Sequence, residues 1–387
     1  MPDRRARGDR RGHTVGTRPF AGKELQGLDP ELDKRWDALA LASGAPVFLR
    51  PGWVRAWATA FGKTDAVRLL TVERGGELVA VMPLLAGALT LRSATNAETA
   101  VYAPVVADAE AAAELADTLL GLGAPSIDLA ALSAADAGTD ALVKGAERAG
   151  SALLRRTLRS SPYIDTSVGD AASFRAGLSK NKRHGLRRLE KRLAEVGELV
   201  LDVQDGRENR AALLAEGYRL EAREWKLAAG SAILSNPATT RFYDLAAEWA
   251  ASEGLLRLAF LRVGGRAVGF GYLVEQAGTL SFLKLGMDDA SAKLGPGIVI
   301  MHHLIDYAFA DPAVTELDLL GENDAYKKDL ASGTREQLRM QLFPNRRTGS
   351  AQRAAVVTAG ELRTRIVEKL SDDTRDRLSA IRNRILR

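Results

Sequence analysis

A stretch of sequence that occurs twice predicts the architecture of this chain. Residues 67–81 read VRLLTVERGGELVAV and residues 256–270 read LRLAFLRVGGRAVGF, with Gly75 and Gly264 standing 189 residues apart. Each copy is a β-rich run, a tight turn with two glycines and a second apolar run, which is the pattern of a β-hairpin. The repeat predicts two related hairpins in one chain.

The segments around the two hairpins repeat as well. An amphipathic helical pattern precedes each hairpin, and a second helical stretch follows each one, at residues 109–121 and 297–310. Ile127-Asp128-Leu129 then matches Leu317-Asp318-Leu319 at an offset of 190 residues. The order of helix, hairpin, strand, helix and strand therefore occurs twice. It predicts an α/β fold of two tandem domains, with mixed central sheets flanked by helices.

Charge is distributed unevenly along the 387 residues. Lys and Arg number 54 against 49 Asp and Glu, for a net charge of +5. Residues 1–18 carry +4 and residues 346–387 carry +6, which leaves −5 on the body between them. We expect a disordered basic tail over 1–20, a first domain over 21–165, a second domain over 166–345 and a basic amphipathic tail over 346–387.

Composition excludes several kinds of site. The chain has no cysteine, so disulfides, thiolate metal sites, cysteine nucleophiles and iron–sulfur clusters are excluded. Histidines number four, and we expect no metal. The longest apolar run, residues 79–91, is shorter than the roughly 20 residues that a membrane-spanning helix needs. We expect a cytoplasmic protein, with attachment of its basic tails to the inner face of the membrane as an alternative.

The two copies differ where the third strand meets the following helix. In the second copy the strand over 280–287 leads through Lys293, Gly295 and Gly297 into a helix from Ile298. Glycines at such a junction let a ligand approach the backbone closely, and the start of the helix offers free N–H groups and positive potential. These residues predict a pyrophosphate cradle in the second copy, and a tight turn without a ligand is the alternative.

The order of elements resembles the GNAT acyltransferase fold, in which the pyrophosphate of acetyl-CoA sits on a glycine-rich turn. The usual GNAT pattern is a basic residue or Gln, two residues, Gly, one residue and Gly. Gly295 and Gly297 fit it, but Ala292 takes the first position and Lys293 stands one place late.

Further motifs are similar to the CelD/BcsL-type branch, which is associated with cellulose and exopolysaccharide biosynthesis. They are Phe48-Leu-x-Pro-x-Trp53, Leu178-Ser-x-x-x-Arg183, Glu221-x-x-x-Trp225-Lys226, Gly295-Pro-Gly297 and Tyr326-Lys327. The resemblance covers about residues 30–345, and that branch is distantly similar to FemAB-type aminoacyl transferases.

The resemblance implies an acyltransferase that uses acetyl-CoA or another acyl-CoA as cosubstrate and needs no metal. Direct attack of an amine or hydroxyl on the thioester requires donors for the carbonyl oxygen and a base for the acceptor. The implied cofactor-binding residues are Lys293, Gly295, Gly297, Ile298 and Lys327. The implied acid–base candidates are Asp318, Glu322, Asp324 and Tyr326. Glu221, Trp225 and Lys226 would line the pocket of a small-molecule, glycan or peptide acceptor.

Several alternatives stay open. Asp318 has the counterpart Asp128 in the copy without a cradle, which favours a shared structural role. The basic segment over 175–192 is either a surface helix or a face for a polyanion such as the CoA 3′-phosphate or tRNA. An aminoacyl-tRNA-dependent FemAB-like transferase would use that face for tRNA, although we see no room for the long coiled-coil hairpin of such enzymes. A non-catalytic scaffold of a polysaccharide synthase is the third possibility.

An apolar stripe is also predicted along the basic segment. It comprises Leu178, Leu186, Leu189, Leu193 and Val196. The segment carries no interleaved aromatic residues over 175–192, which weakens the nucleic-acid interpretation.

Overall fold

The structure is a computed structural model that describes residues 25–322, 325–345 and 347–368. The predicted tail over 1–20 and the end of the C-terminal tail, from residue 369, lie outside these ranges. Within the described residues, every helix is too short or too polar to cross a membrane.

The first copy contains seven strands and four α-helices among the described residues. In chain order they are β1 (Leu25–Gln26), α1 (Pro30–Ala42), α2 (Pro51–Ala60), β2 (Val67–Arg74), β3 (Glu77–Ala86), β4 (Thr90–Ser93), β5 (Val105–Val106), α3 (Ala109–Gly121), β6 (Ser126–Ser133), α4 (Ala137–Ala149) and β7 (Ala152–Asp165). The hairpin predicted from residues 67–81 is β2–β3.

The second copy repeats this order after two basic helices. Its elements are α5 (Ala171–Gly177), α6 (Lys180–Ala194), β8 (Leu199–Gln204), α7 (Arg210–Glu221), α8 (Glu224–Ala228), α9 (Pro237–Ser252), β9 (Leu256–Val263), β10 (Arg266–Gln276), β11 (Thr279–Met287), α10 (Pro296–Ala310), β12 (Glu316–Asp318), α11 (Ala325–Lys328), β13 (Gly333–Phe343) and α12 (Gly349–Glu368). The second predicted hairpin is β9–β10.

The described strands form one continuous mixed sheet. Its order is β1-β2-β3-β4-β6-β13-β7-β12-β11-β10-β9-β8, and β5 pairs with β3. Two neighbouring pairs, β4–β6 and β11–β12, are parallel. The sheet is continuous because the copies exchange strands: β13 of the second copy lies between β6 and β7, and β7 of the first copy pairs with β12.

Helices cover both faces of the sheet. In the second copy, Leu280 and Leu317 face the cluster that contains α10, because alternate residues of a strand point to opposite faces. On the other face α2 packs on α9, and the Trp53 ring lies 5.5 Å from that of Phe242. The Phe48–Trp53 motif therefore belongs to the hydrophobic core that joins the two copies.

The basic segment is two helices, and its apolar stripe is shorter than predicted. The chain leaves α5 at Leu178, and the Ser179 hydroxyl accepts a hydrogen bond from the N–H of Lys182 to start α6. Leu186 and Leu193 are buried as predicted. The inclusion of Val196 was wrong, because α6 ends at Ala194 and Val196 is 68% exposed.

Candidate active site

The second copy contains an open fork between β11 and β12. The two strands pair in parallel over three positions, of which Ser281 opposite Asp318 is the last. The register of β11 against β10 then shifts between Phe282 and Lys284, which places a β-bulge at Leu283. Beyond this point β11 runs without β12 as a ladder partner, so its backbone N–H groups on that side can meet a ligand.

The first copy has the same fork between β4 and β6, but its own chain fills it. Tyr102 bridges Leu132, receiving an N–H bond from Ser133 at 3.1 Å and donating its own N–H to Ala131 at 2.9 Å. The buried Tyr102 hydroxyl donates to the carbonyl oxygen of Pro83 at 2.6 Å. The space between the diverging strands is therefore occupied in the first copy.

The helices that follow the two forks also start differently. At α3 the Asp108 carboxylate accepts from the N–H of Ala111 at 2.7 Å, and the preceding Ala107 N–H is bonded to Val79 of β3. At α10 the N-cap is Gly295, with φ +66°, and no side chain caps the helix. A carboxylate thus occupies the positive end of α3, whereas the end of α10 is left to backbone N–H groups.

The remaining residues of the predicted cradle lie around the start of α10. Gly297 is buried, and a Cβ atom there would lie 3.2 Å from the sulfur and methyl of Met287. Ile298 is 54% exposed and Lys293 is also exposed. The structure therefore brings the predicted cofactor-binding residues of this turn together, at the edge of the fork.

Helix α6 packs on the same turn. A Cβ atom at Gly295 would lie 3.0 Å from the side chain of Leu189. The solvent side of α6 presents four exposed basic residues in its second half, Arg187, Arg188, Lys191 and Arg192. The turn is thus bordered by positive charge from a neighbouring element.

A pocket of about 120 Å³ lies at the open end of the fork and is lined by both copies. The second copy contributes Tyr243, Leu283, Lys284, Leu320 and Gly321, and the first copy contributes Ala97, Glu98, Thr99, Ala100 and Arg159. The first copy, which lacks the predicted cradle, therefore supplies part of the wall of the second copy's site.

Glu98 joins two residues of the second copy in this pocket. The Lys284 ammonium lies 3.1 Å from its carboxylate, and the Tyr243 hydroxyl donates to the same oxygen at 3.1 Å. Burial, and then the nearby Glu98 charge, raise the pKa of Tyr243 far above its usual value, so this phenol stays protonated. Sequence reasoning missed all three residues, because they come from distant elements and form no motif.

Arg159 holds the first copy's loop against the sheet. Its guanidinium donates to the Gln337 side chain at 2.7 Å and to the carbonyl oxygens of Thr99 and Ala100 at 2.7 and 3.1 Å. Burial lowers the pKa of Arg159, and the charge of Glu322 opposes that shift. Arg159 fixes the loop that carries Glu98.

Glu221 and Lys226, predicted to line the acceptor pocket, fasten the α7–α8 connection to β11. The fully buried Glu221 carboxylate accepts from the Lys226 ammonium and from the Ile233 N–H, each at 2.8 Å. The Lys226 ammonium also donates to the carbonyl oxygen of Leu285 at 2.6 Å, and burial lowers its pKa. The backbone of Trp225 lies in α8. The pair holds the wall of the fork beside Leu285.

Lys327 and Asp318 shape the turn that ends β12. The buried Lys327 ammonium donates to the carbonyl oxygens of Leu319 and Leu320 at 3.0 and 2.7 Å. Asp318 accepts from the N–H of Leu320 at 2.9 Å, and burial raises the pKa of Asp318 to about 6. Both groups are placed within one turn of the open fork.

The other acid–base candidates predicted at this turn are either exposed or outside the described residues. Glu322 is exposed, Tyr326 is 48% exposed, and Asp324 lies outside the described residues. The described part of the chain contains no group of three or more His, Cys, Asp or Glu side chains that could hold a metal ion.

Part of the second copy matches a known domain family. Residues 180–328 match the model of the acetyltransferase (GNAT) domain. This range contains α6, the fork, the glycine turn and Lys327. No curated protein matches the chain.

Solved structures show the same fold over most of the chain. FemX has a TM-score of 0.54 at 12% identity, over 84% of this chain and 98% of its own. L-PGS from Bacillus licheniformis has a TM-score of 0.53 at 13% identity, over 83% and 94%. The C-terminal domain assigned to a lysylphosphatidylglycerol synthetase of Agrobacterium fabrum has 0.50 at 14% identity, over 84% and 96%. The predicted mixed α/β, GNAT-like fold is confirmed, and the CelD/BcsL branch stays a prediction.

Proposed function

From the acetyltransferase (GNAT) domain that residues 180–328 match, we propose that this chain transfers an acyl group from acyl-CoA to an acceptor at the β11–β12 fork. One observation carries the proposal, the difference between the two copies. The α10 end of the open fork has an uncapped glycine turn, whereas Asp108 caps α3 and Tyr102 fills the first fork. The second copy alone keeps both features that a phosphate-bearing cosubstrate needs.

The cosubstrate's charge and shape match the start of α10. The pyrophosphate would meet the backbone N–H groups after Gly295, where Gly297 allows close approach and the helix dipole favours an anion. Lys293 and the exposed arginines of α6 supply positive charge nearby. Ile298 would cover the apolar part of the cosubstrate, and Lys327 would act by holding the turn after β12.

The chemistry at the fork requires no covalent enzyme intermediate. The acceptor's nitrogen or oxygen attacks the thioester carbonyl carbon, the C–S bond breaks, and the leaving thiolate takes a proton. The unpaired N–H groups of β11 would stabilise the developing oxyanion. Asp318, with its pKa of about 6, is largely ionised at neutral pH and is our first choice of base, ahead of Glu322 and Asp324. Tyr326 is the proposed acid.

The motif resemblance supports a particular setting for this reaction. We place the acceptor among the small molecules, glycans or peptides of cell-envelope or exopolysaccharide biosynthesis, with acetyl-CoA as the donor. The cytoplasm, with contact of the basic tails to the inner face of the membrane, is the proposed location.

Calorimetric titration with acetyl-CoA tests the proposal. The full chain should bind acetyl-CoA, and Gly297→Val should abolish binding, because its side chain would meet Met287 and close the approach to the turn. The matched control is Ala107→Val, an exposed position before α3 of the first copy, which should bind normally. Absence of binding to the unmodified protein at millimolar acetyl-CoA would refute the proposal.

Transfer from aminoacyl-tRNA is a second candidate, favoured by the exposed basic side of α6 beside the glycine turn. The folds of FemX and L-PGS also match more than four-fifths of this chain. This function predicts salt-dependent retention of tRNA that is lost in an Arg187→Glu, Arg188→Glu double variant. Arg266→Glu, at a 71% exposed side chain at the start of β10, should retain tRNA. Equal retention by both variants would rule this candidate out.

A further inference from the structure

A second, larger cavity of about 330 Å³ lies where the two copies meet. It is on the sheet face opposite α10, because Leu317 faces the α10 cluster while its neighbours Glu316 and Asp318 line the cavity. Its floor is formed by β11, β12, β7 and β13, and its rim by residues 44–49 and 133–136. The volume falls in the range of small-molecule sites, about 300–1,000 Å³.

One side chain of this cavity lacks a partner. Ser161 of β7 is only 4% exposed, and its buried hydroxyl makes no hydrogen bond in the structure. Buried hydroxyl groups in folded proteins are almost always hydrogen-bonded. A hydroxyl that lines a cavity and lacks a protein partner therefore marks a place for a polar ligand atom.

The lining carries more negative than positive charge. Glu316 is paired with Arg335, but Asp318 is held by the Leu320 N–H and Asp136 by the Thr139 N–H at the start of α4. Burial raises the pKa of both aspartates. At Asp318 the charges of Arg335 and Lys327 oppose that shift without cancelling it. Thr279 and Ser281 add hydroxyl groups to the lining.

We propose that this cavity binds a small primary amine that carries hydroxyl groups, a class that includes amino sugars. The ammonium would pair with the carboxylates of Asp318 and Asp136, and a ligand hydroxyl would bond to Ser161. An anionic ligand is disfavoured, because the one cation of the lining among the described residues, Arg335, is already paired with Glu316.

The cavity adjoins the fork. Ser281 and Asp318 are the last paired residues of β11 and β12, and Leu320 lines both this cavity and the 120 Å³ pocket. Binding of the amine in this cavity is independent of the proposed function. Its role as the acyl acceptor rests on the proposed function. As acceptor, the ammonium loses one proton to a carboxylate, its nitrogen bonds to the carbonyl carbon as the C–S bond breaks, and the second proton passes to the leaving sulfur.

Binding is tested on the full chain by calorimetry with two matched pairs of probes, glucosamine against glucose and ethanolamine against ethylene glycol. The amine of at least one pair should bind about tenfold or more tighter than its neutral partner, the size expected for a hydrogen bond to a charged group. Asp318→Asn should remove that preference. Lack of preference in both pairs overturns the proposal.

Two further variants separate ligand binding from a structural role. Ser161→Ala should weaken amine binding several-fold while raising the unfolding temperature of the free protein, because it removes an unpartnered buried hydroxyl. Asp128→Asn, at the equivalent position of the first copy and outside the cavity, should leave amine binding unchanged. Amine binding that survives both Ser161→Ala and Asp318→Asn overturns the proposal.

The acceptor role has its own readout. Mass spectrometry of the bound amine incubated with acetyl-CoA should show the N-acetyl product. If the protein prefers the amine probes to their neutral partners but does not bind acetyl-CoA, the cavity site is supported and the proposed function is refuted. If the protein binds acetyl-CoA but does not prefer the amine probes, the cavity site is refuted and the proposed function is supported.

Discussion

Two aspartates at equivalent positions of the repeat have different surroundings. The carboxylate of Asp128 accepts hydrogen bonds from two nitrogens of the Arg339 guanidinium, Nε and Nη2. Asp318 instead lines a cavity and accepts a hydrogen bond from the backbone N–H of Leu320. The expectation that the two share a structural role is therefore not met. The difference follows from the strand beside each aspartate, because β13 brings an arginine to Asp128 and β7 brings Ser161 and Tyr163 to the region of Asp318.

Asp318 predicts a pH-dependent stability difference. Its pKa is raised from 3.8 to about 6 by burial, so the folded protein holds this proton more tightly than the unfolded chain. The contribution of this group to the free energy of unfolding is therefore present in full below about pH 4. It is lost as the pH rises through about 6, where the buried carboxyl group ionises. Asp318→Asn should therefore match the parent in stability near pH 4 and exceed it by on the order of 1–3 kcal/mol at pH 8.

Denaturant unfolding of the two proteins from pH 4 to pH 8 measures this difference. A difference in unfolding free energy that stays constant over the range would contradict the assigned burial of the Asp318 carboxylate.

At the scale of elements, the starts of α3 and α10 decide which copy can bind an anion. The sequence already contained this contrast, since Asp108 is a preferred N-cap residue and Gly295 has no side chain. The filling of the first fork by Tyr102 was not predictable, because its bridge to Leu132 joins residues that no local pattern links.

The α3 cap gives a prediction that separates stability from binding. Asp108→Ala should lower the free energy of unfolding by about 1 kcal/mol, because it removes the acceptor for the Ala111 N–H. Acetyl-CoA affinity should not change, since the start of α3 is outside the proposed site. Chemical denaturation and calorimetry on the same variant measure both quantities, and a large loss of affinity would show that the first copy takes part in cosubstrate binding.

At the scale of the whole molecule, the exchange of β7 and β13 ties the two copies together. β13 pairs with β7 from Gly333 opposite Tyr163 to Phe343 opposite Ala152, and its other edge pairs with β6. Each half of the sheet thus contains a strand of the other half, and the α2–α9 contact adds a shared core. The boundary expected between residues 165 and 166 therefore separates the two copies of the repeat along the sequence, while strands of the two copies pair across it in the sheet.

This exchange predicts that the halves do not fold alone. A chain ending at residue 331 lacks β13, which exposes the long edges of β6 and β7, and it should not give a cooperative thermal transition by circular dichroism. A chain ending at residue 368 is the control and should unfold in one transition. Independent, cooperative unfolding of a 25–165 fragment would show that the exchanged strand is dispensable.

Much of the site could be read from local sequence because its parts are local. The Gly295-Pro-Gly297 turn, the strand before it and the helix after it occupy consecutive residues, and their conformations follow from turn chemistry and helix geometry. Glu98, Arg159 and Lys284 could not be found in this way. They meet at the pocket only after the first copy's loop is laid across the second copy's fork.

The sequence by itself determined the repeated hairpins, the helices beside them and the glycine turn of the second copy, because periodicity and turn residues act over neighbouring positions. Only the tertiary structure decided that the two sheets are one, that the first fork is filled, and that Ser161 and Asp318 face a common cavity. These features depend on which strands pair across the chain, and strand pairing is set by packing of the whole sheet, which short-range patterns do not encode.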